Sequence, residues 1–273
     1  MAESPEDLAE FIREMSEAAG AVLSSYRAGA AFTIKRKPDN SLVTDADLAS
    51  ERVILERIRR RFPADKICSE EAGLSSSDRT PGSYIWIIDP LDGTTNFAHG
   101  YDFFCVSIAR GRFTSEGPVV VEAGAIHDPI RKKTYVAGLG RGATVNGKAL
   151  KTTQTANLRD AFLVTGFSYN AGIELKKDIM TLYEVAIRCK GIRGDGSAAL
   201  DMALVAEGVY DASWDYGLKP WDVAAGGLII AEAGGTVVNY PGEPTDSFDV
   251  ERPGLICGAP VIVKALSELI RQV

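Results

Sequence analysis

The run Trp86-Ile87-Ile88 is apolar and β-branched, yet it ends on Asp89-Pro90-Leu91-Asp92 and passes at once into Gly93-Thr94-Thr95-Asn96. No other segment leaves the chain so little freedom. Such a run suits a strand covered on both faces. Packing alone gives a buried strand no reason to finish on two acids, and Pro90 fixes the backbone just after it. The strand therefore delivers carboxylates to a cleft, and the next residues offer N–H and O–H donors. Carboxylates take hard cations, and N–H groups at a helix start take anions. Together they predict a site for a metal and a phosphate.

The 273 residues are 45% hydrophobic and 25% charged, ample for a core in one large domain or two small ones. A net charge of -7 excludes a nucleic-acid surface built on bulk electrostatics. It also requires cations to reverse the local field wherever phosphate binds. No apolar run approaches the ~18–20 residues that span a bilayer. The start, Met1 to Asp7, is acidic and lacks the basic residues and apolar stretch of a signal peptide. These features predict a cytoplasmic protein with no membrane partner. Cys68, Cys105, Cys189 and Cys257 are scattered, as free thiols are in a reducing compartment. With His99 and His127 as the only histidines, a zinc site is disfavoured.

Ser4-Pro5 reads as a cap and first turn, followed by a helical stripe of Leu8, Phe11, Ile12, Met15, Ala19, Val22, Leu23 and Tyr26. Lys35 to Ser41 is a charged loop, and a second helix runs from Thr44 or Asp45 to Phe62. Strands follow at Ile67–Glu70, Tyr84–Asp89, Phe103–Arg110, Val119–Ile126 and Thr134–Ala137, with a surface loop over 74–82. Asn146-Gly147 marks a tight hairpin. After about residue 150 short strands (161–165, 210–214, 236–239, 255–257) alternate with helices (173–189, 197–207, 221–233, 261–271). The expectation is an N-terminal α+β subdomain over 1–150 carrying the metal motifs, and a C-terminal α/β subdomain over 151–273 completing the site.

The acids recur in one situation, at a strand end or a helix start. Asp89 and Asp92 flank Pro90-Leu91, Glu70 and Glu71 close a short apolar run, and Asp222 follows Pro220-Trp221. Asp45 and Asp47 open the second helix, where capping is the competing role. Several carboxylates in one cleft repel unless cations join them. An all-oxygen set selects Mg²⁺ or Mn²⁺ over zinc. Two such ions about 4 Å apart can activate a water and neutralise a leaving oxygen. The run Gly142 to Lys148 matches G-x-x-x-x-G-K, but Ala149 stands where a nucleotide-binding loop needs a hydroxyl.

Asp89-Pro90-Leu91-Asp92-Gly93-Thr94-Thr95-Asn96 resembles the D-P-[IL]-D-G-T-x-N signature of the inositol monophosphatase family. Trp221-Asp222-Val223-Ala224-Ala225-Gly226, with Glu232-Ala233-Gly234-Gly235, resembles its second signature. Val43-Thr44-Asp45-Ala46-Asp47 and Ser69-Glu70-Glu71 are similar to two further family positions. The likeness implies a layered αβαβα sandwich, of the inositol monophosphatase and fructose-1,6-bisphosphatase type. It implies hydrolysis of a small phosphate monoester by two or three Mg²⁺ per site, sensitivity to lithium, and a homodimer. By motif position, Glu70, Asp89 and the Leu91 carbonyl would hold one ion, and Asp89, Asp92 and Asp222 a second. A third, weaker ion would sit near Glu70. Thr94, oriented by Asp47, and Glu70 would position and deprotonate the attacking water. The N–H groups of Gly93, Thr94 and Thr95 would hold the phosphate, and Gly196, Ser197 and Ala198 would form the second wall.

Two positions depart from the family pattern. Asp215 stands where the family usually has Glu bonding substrate hydroxyls, and Ser41 stands where inositol-type members often have Asp. Inositol 1-phosphate is the leading expected substrate. Histidinol phosphate, fructose 1,6-bisphosphate and NADP are the alternatives, and a regulatory binding role is a remote one. Lys35 is weighed as a neighbour of the third ion against a solvated loop lysine.

Overall fold

The computed structural model describes residues 5–38, 41–115, 117–167, 173–240, 248–252 and 254–273. The expected cap Ser4 and the loop residues Asp39-Asn40 lie outside them.

Helix α1 (Pro5–Arg27) buries Leu8, Ile12, Met15, Ala19 and Leu23, one stripe at helical spacing. The charged loop is in part a small antiparallel hairpin of β1 (Ile34–Arg36) and β2 (Leu42–Thr44). Its first strand is fully exposed, so no buried alternation announced it. Helix α2 (Asp45–Arg61) starts at a capping box in which Thr44 and Asp47 satisfy each other's backbone.

The chain then builds most of a large sheet: β3 (Lys66–Ser69), β4 (Gly73–Leu74), β5 (Tyr84–Asp92), helix α3 (Thr94–His99), β6 (Cys105–Phe113), β7 (Val119–Asp128), β8 (Lys133–Gly138), β9 (Ala143–Val145) and β10 (Lys148–Ala149). Its eight strands run β10-β9-β8-β7-β6-β5-β3-β4. All neighbours are antiparallel except β3 and β5. Asn146 (φ 48°) and Gly147 (φ 79°) form the β9–β10 turn, so the G-x-x-x-x-G-K run is a hairpin and not a phosphate loop.

The second half supplies β11 (Phe162–Thr165), α4 (Ile173–Ala186), β12 (Gly191–Arg193), α5 (Ala198–Ala206), β13 (Ala212–Asp215), α6 (Pro220–Glu232), β14 (Thr236–Asn239), β15 (Leu255–Gly258) and α7 (Pro260–Ile270). Its five strands run β12-β11-β13-β15-β14. Strand β12 was unforeseen, because helix α4 ends at Ala186 rather than Cys189.

Helices α1 and α2 cover one face of the large sheet, and α5 and α6 the other. The small sheet packs beyond α5 and α6, and α4 and α7 close the outside. This is the αβαβα sandwich. Trp86, Ile88 and Ile108 lie in the first interface, and Ile87, Ala109, Val223 and Ile229 in the second. Each fully buried side chain of this size contributes roughly 1.5–3 kcal/mol. A Cβ on Gly124 of β7 would come within 3.1 Å of Ala225 Cα, so glycine there sets how closely α6 approaches the sheet. The four cysteines are free. Among the described residues no helix is long and apolar enough to cross a membrane.

Candidate active site

Strand β5 does not stop at Asp89. It continues to Asp92 through a bulge: Asp89 pairs with Ser107 and Asp92 with Cys105, so three steps on β5 match two on β6. The bulge accommodates Pro90, which has no N–H for the ladder. Ser50 Oγ donates to the Pro90 carbonyl (2.7 Å), and Leu91 N donates to Asp89 Oδ1 (3.0 Å). Asp89 and Asp92 meet Asp222, from the first turn of α6, with one carboxylate oxygen of each within 4.8 Å of the others. Asp222 also caps its helix, accepting from Lys219 N at 2.7 Å.

Charge crowding follows. Burial, then the charges of Glu70, Asp92 and Asp222, pushes the Asp89 carboxyl well above its ordinary value. Burial and then Asp92 do the same to Asp222. Burial lifts Asp92 to about 6, against the pull of donors from Ser197 Oγ (2.6 Å) and Ala199 N (2.7 Å). An all-oxygen group of acids that resist ionising together fits a hard divalent cation, which would relieve all of them at once.

Behind the cluster, Asp47 accepts from Thr44 N and Oγ1 and from Thr94 Oγ1 (3.0 Å). Thr94 Oγ1 lies equally near the Leu91 carbonyl, at 3.0 Å. Burial lifts Asp47 to about 6, with its hydrogen bonds opposing. Gly93 takes φ 93° as the residue before α3, and a Cβ there would meet the Phe103 carbonyl at 3.0 Å. The first N–H groups of α3 have no partner within the helix. Asn96 Nδ2 donates to the carbonyls of Phe103 (2.8 Å) and Asp195 (2.7 Å), tying this turn to the loop before α5.

A cavity of about 330 Å³ gathers Glu70, Asp89, Leu91, Asp92, Gly93, Thr94, Thr95, Gly196, Ser197, Ala198, Asp215 and Asp222. Asp47 stands one layer back, and Asp45 is turned away to Thr33 (2.8 Å). Ser197, expected in the wall, spends its hydroxyl on Asp92. Asp215 accepts from Gly166 N (2.5 Å) and Ser213 Oγ (3.2 Å), and burial lifts it to about 7. Glu70 stands outside the three-acid group and accepts from Lys37 Nζ at 2.8 Å, as Glu71 does at 2.6 Å. Lys37, not Lys35, is the lysine at the acids. Lys35 lies on an exposed strand, while Lys37 follows it where the hairpin bends inward. Burial opposes the charge of Lys37, and Glu70 and Glu71 outweigh it. Sequence reasoning also missed Asp201, which lines the cavity from an otherwise apolar helix.

The inositol monophosphatase family model matches residues 4–273. The inositol-1-monophosphatase of Synechocystis sp. is 39% identical over 246 residues, covering 89% of this chain and 83% of that protein. The Nus factor SuhB of Pseudomonas aeruginosa is 37% identical over 240 residues, covering 86% and 84%. The solved inositol monophosphatase of Anabaena (Nostoc) sp. superposes with a TM-score of 0.81 at 36% identity, covering 98% of this chain and 96% of that one. Sequence and fold agree along nearly the whole length: the chain belongs to the inositol monophosphatase family, and it is a phosphatase.

Proposed function

We propose that this phosphatase is Mg²⁺-dependent and hydrolyses a small phosphate monoester, with inositol 1-phosphate as the reference substrate. The observation that carries this is the convergence of three carboxylates, that of Asp89 fully buried, within 4.8 Å of one another in the cavity that α3 opens into. Glu70, Asp89 and the Leu91 carbonyl would hold one ion, Asp89, Asp92 and Asp222 a second, and the Glu70 side of the cavity a weaker third. When bound, the ions supply charge neutralisation and an activated water.

The chain's own residues do the positioning. The N–H groups of Gly93, Thr94 and Thr95 hold the phosphate, against the wall of Gly196, Ser197 and Ala198. A hydroxyl has one proton, and Asp47 draws that of Thr94, so the Thr94 lone pairs face the cavity and accept from the attacking water. Glu70, steadied by Lys37, receives the proton, and as the bond from phosphorus to the alcohol oxygen breaks, that oxygen takes a proton from a water in the cavity. Asp215 faces the alcohol portion. Nothing covalent is required, because phosphoryl transfer is chiefly positioning and charge stabilisation.

The test is hydrolysis of inositol 1-phosphate, histidinol phosphate, fructose 1,6-bisphosphate and NADP across Mg²⁺ concentration, with lithium as a control. Turnover of at least one ester, abolished by chelation and restored by Mg²⁺, is the expected result. Equal turnover with and without the metal would sink the reading. A regulatory binding role has support in the name Nus factor SuhB that several relatives carry, those of Pseudomonas aeruginosa and Escherichia coli among them, while the acids, donors and cavity favour catalysis.

We also propose a homodimer through the outer face of α4. Ile179 (54% exposed), Met180 (46%), Tyr183 (62%) and the following Ile187 (58%) form an apolar stripe there. Light scattering should give twice the chain mass for the native protein and the single-chain mass for the Ile179→Glu, Tyr183→Glu double variant. A native monomer would refute this.

A further inference from the structure

Three side chains on one face of α2, at i, i+3 and i+4, each hold a different piece of the active site. Asp47 accepts from Thr94 Oγ1 at the start of α3. Ser50 donates to the Pro90 carbonyl in the bulge of β5. Glu51, 7% exposed, reaches the turn between β3 and β4. There its Oε1 accepts from Ser69 Oγ (2.5 Å) and from Ala72 N (2.9 Å). Glu51 does not line the cavity, and no step of the reaction has yet used it.

The turn it holds carries Glu70. Ser69 pairs with Gly73, so only Glu70, Glu71 and Ala72 lie between the two strands. Strand β4 has two residues and ends the sheet order, and so short an edge hairpin has little stability of its own. Glu70 N donates to the Ile88 carbonyl (3.1 Å), which anchors the entry to the turn. Ser75 closes the far end through two bonds to Ile67. Neither reaches the exit of the tip. Lys37 holds the tip by the side-chain ends of Glu70 and Glu71, from a hairpin whose first strand is exposed.

One oxygen of Glu51 therefore joins the two ends of the tip, Ser69 before Glu70 and Ala72 after Glu71. This clasp fixes the backbone from which Glu70 projects. A carboxylate that is to share a cation with Asp89 has to be placed within about 0.5 Å. Partners one layer behind metal ligands set affinity by about 10–100-fold.

We infer that Glu51 is a positioning residue for Glu70, and that its clasp on the β3–β4 turn sets how tightly the Glu70 side of the cavity binds divalent cations. This rests on the metal reading proposed above and extends it to the layer behind the ligands.

The experiment measures Mn²⁺ binding to the metal-free full chain by titration calorimetry, with no substrate present. Mn²⁺ takes the same oxygen ligands as Mg²⁺. Glu51→Met keeps the length of the side chain and removes its acceptors. It should raise the dissociation constant of at least one bound ion by about tenfold or more. Glu51→Gln keeps an oxygen in the place of Oε1 and should stay within about threefold of the native value. Ser69→Ala removes one of the two bonds from the other side and should weaken binding in the same direction by less. A merely structural role would lower the melting temperature of the metal-free protein and leave the affinities where they were. Native affinity in Glu51→Met overturns the inference, as does a loss just as large in Glu51→Gln. If Glu51→Met does not fold, Ser69→Ala decides, and unchanged binding there overturns the inference. A native chain that binds no Mn²⁺ would strike the metal reading itself.

Discussion

Replacing Asp89 by asparagine is expected to lower kcat at least about a thousandfold while making the metal-free protein more stable, by about 1–3 kcal/mol. The two effects have one origin. Asp89 is 2% exposed, faces Asp92 and Asp222, and pays for its burial in charge repulsion. Asparagine keeps the Oδ1 that accepts from Leu91 N, so the bulge in β5 retains its internal bond. What it loses is the charge that would bridge two ions. Activity assays at saturating Mg²⁺ read the first effect, and urea unfolding in a chelator reads the second. Full activity would refute the metal assignment. A large loss of metal-free stability would refute the view that the cluster is strained by its own charge.

Stabilisation by Mg²⁺ should grow with pH. Burial first, then neighbouring acids, raises Asp89 and Asp222 well above the ordinary carboxylate value. Asp47 and Asp92 sit at about 6, and Glu71 and Asp215 at about 7. A carboxyl whose folded value is raised contributes stability that is complete below its unfolded value, ~4. That contribution is lost as pH rises through the folded value. These groups should therefore stabilise the metal-free protein most near pH 4 and lose that contribution as pH rises from there through about 7. Mg²⁺ binds the ionised acids and so offsets the loss. At a hundred times its dissociation constant a ligand adds about 2.7 kcal/mol, a rise in Tm of roughly 5–10 °C for a chain of this size. Melting curves with and without Mg²⁺ should show that rise at pH 8 and little of it at pH 5.5. A gain as large at the lower pH would contradict the charge-crowding account.

The layered fold was legible because its strands and helices carry clean periodicities. The stripe of α1 and the Ile85 to Ile88 run show their burial in their spacing. The acids could be read because each breaks such a pattern at an element end. The bulge could not. Pro90 reads as the end of a strand, and only pairing with β6, distant in sequence, shows that the strand goes on. Lys37 was missed in favour of Lys35 because the β1–β2 hairpin is exposed and leaves no pattern to say which side chain turns inward. Asp201 was hidden by its neighbours, since Ala198 to Ala206 reads as plain apolar helix with one polar interruption.

Helix α6 lies late in the chain but covers β5 to β8, which are made early. During synthesis the face that holds Gly124 and Ala225 together waits uncovered until Glu232 has been added, and a folding helper could engage that apolar surface in the interval. The same helix brings Asp222 to Asp89 and Asp92. Closing the core and assembling the three acids are thus one event on the ribosome's clock, and a truncated product would arrive both sticky and unable to gather its acids.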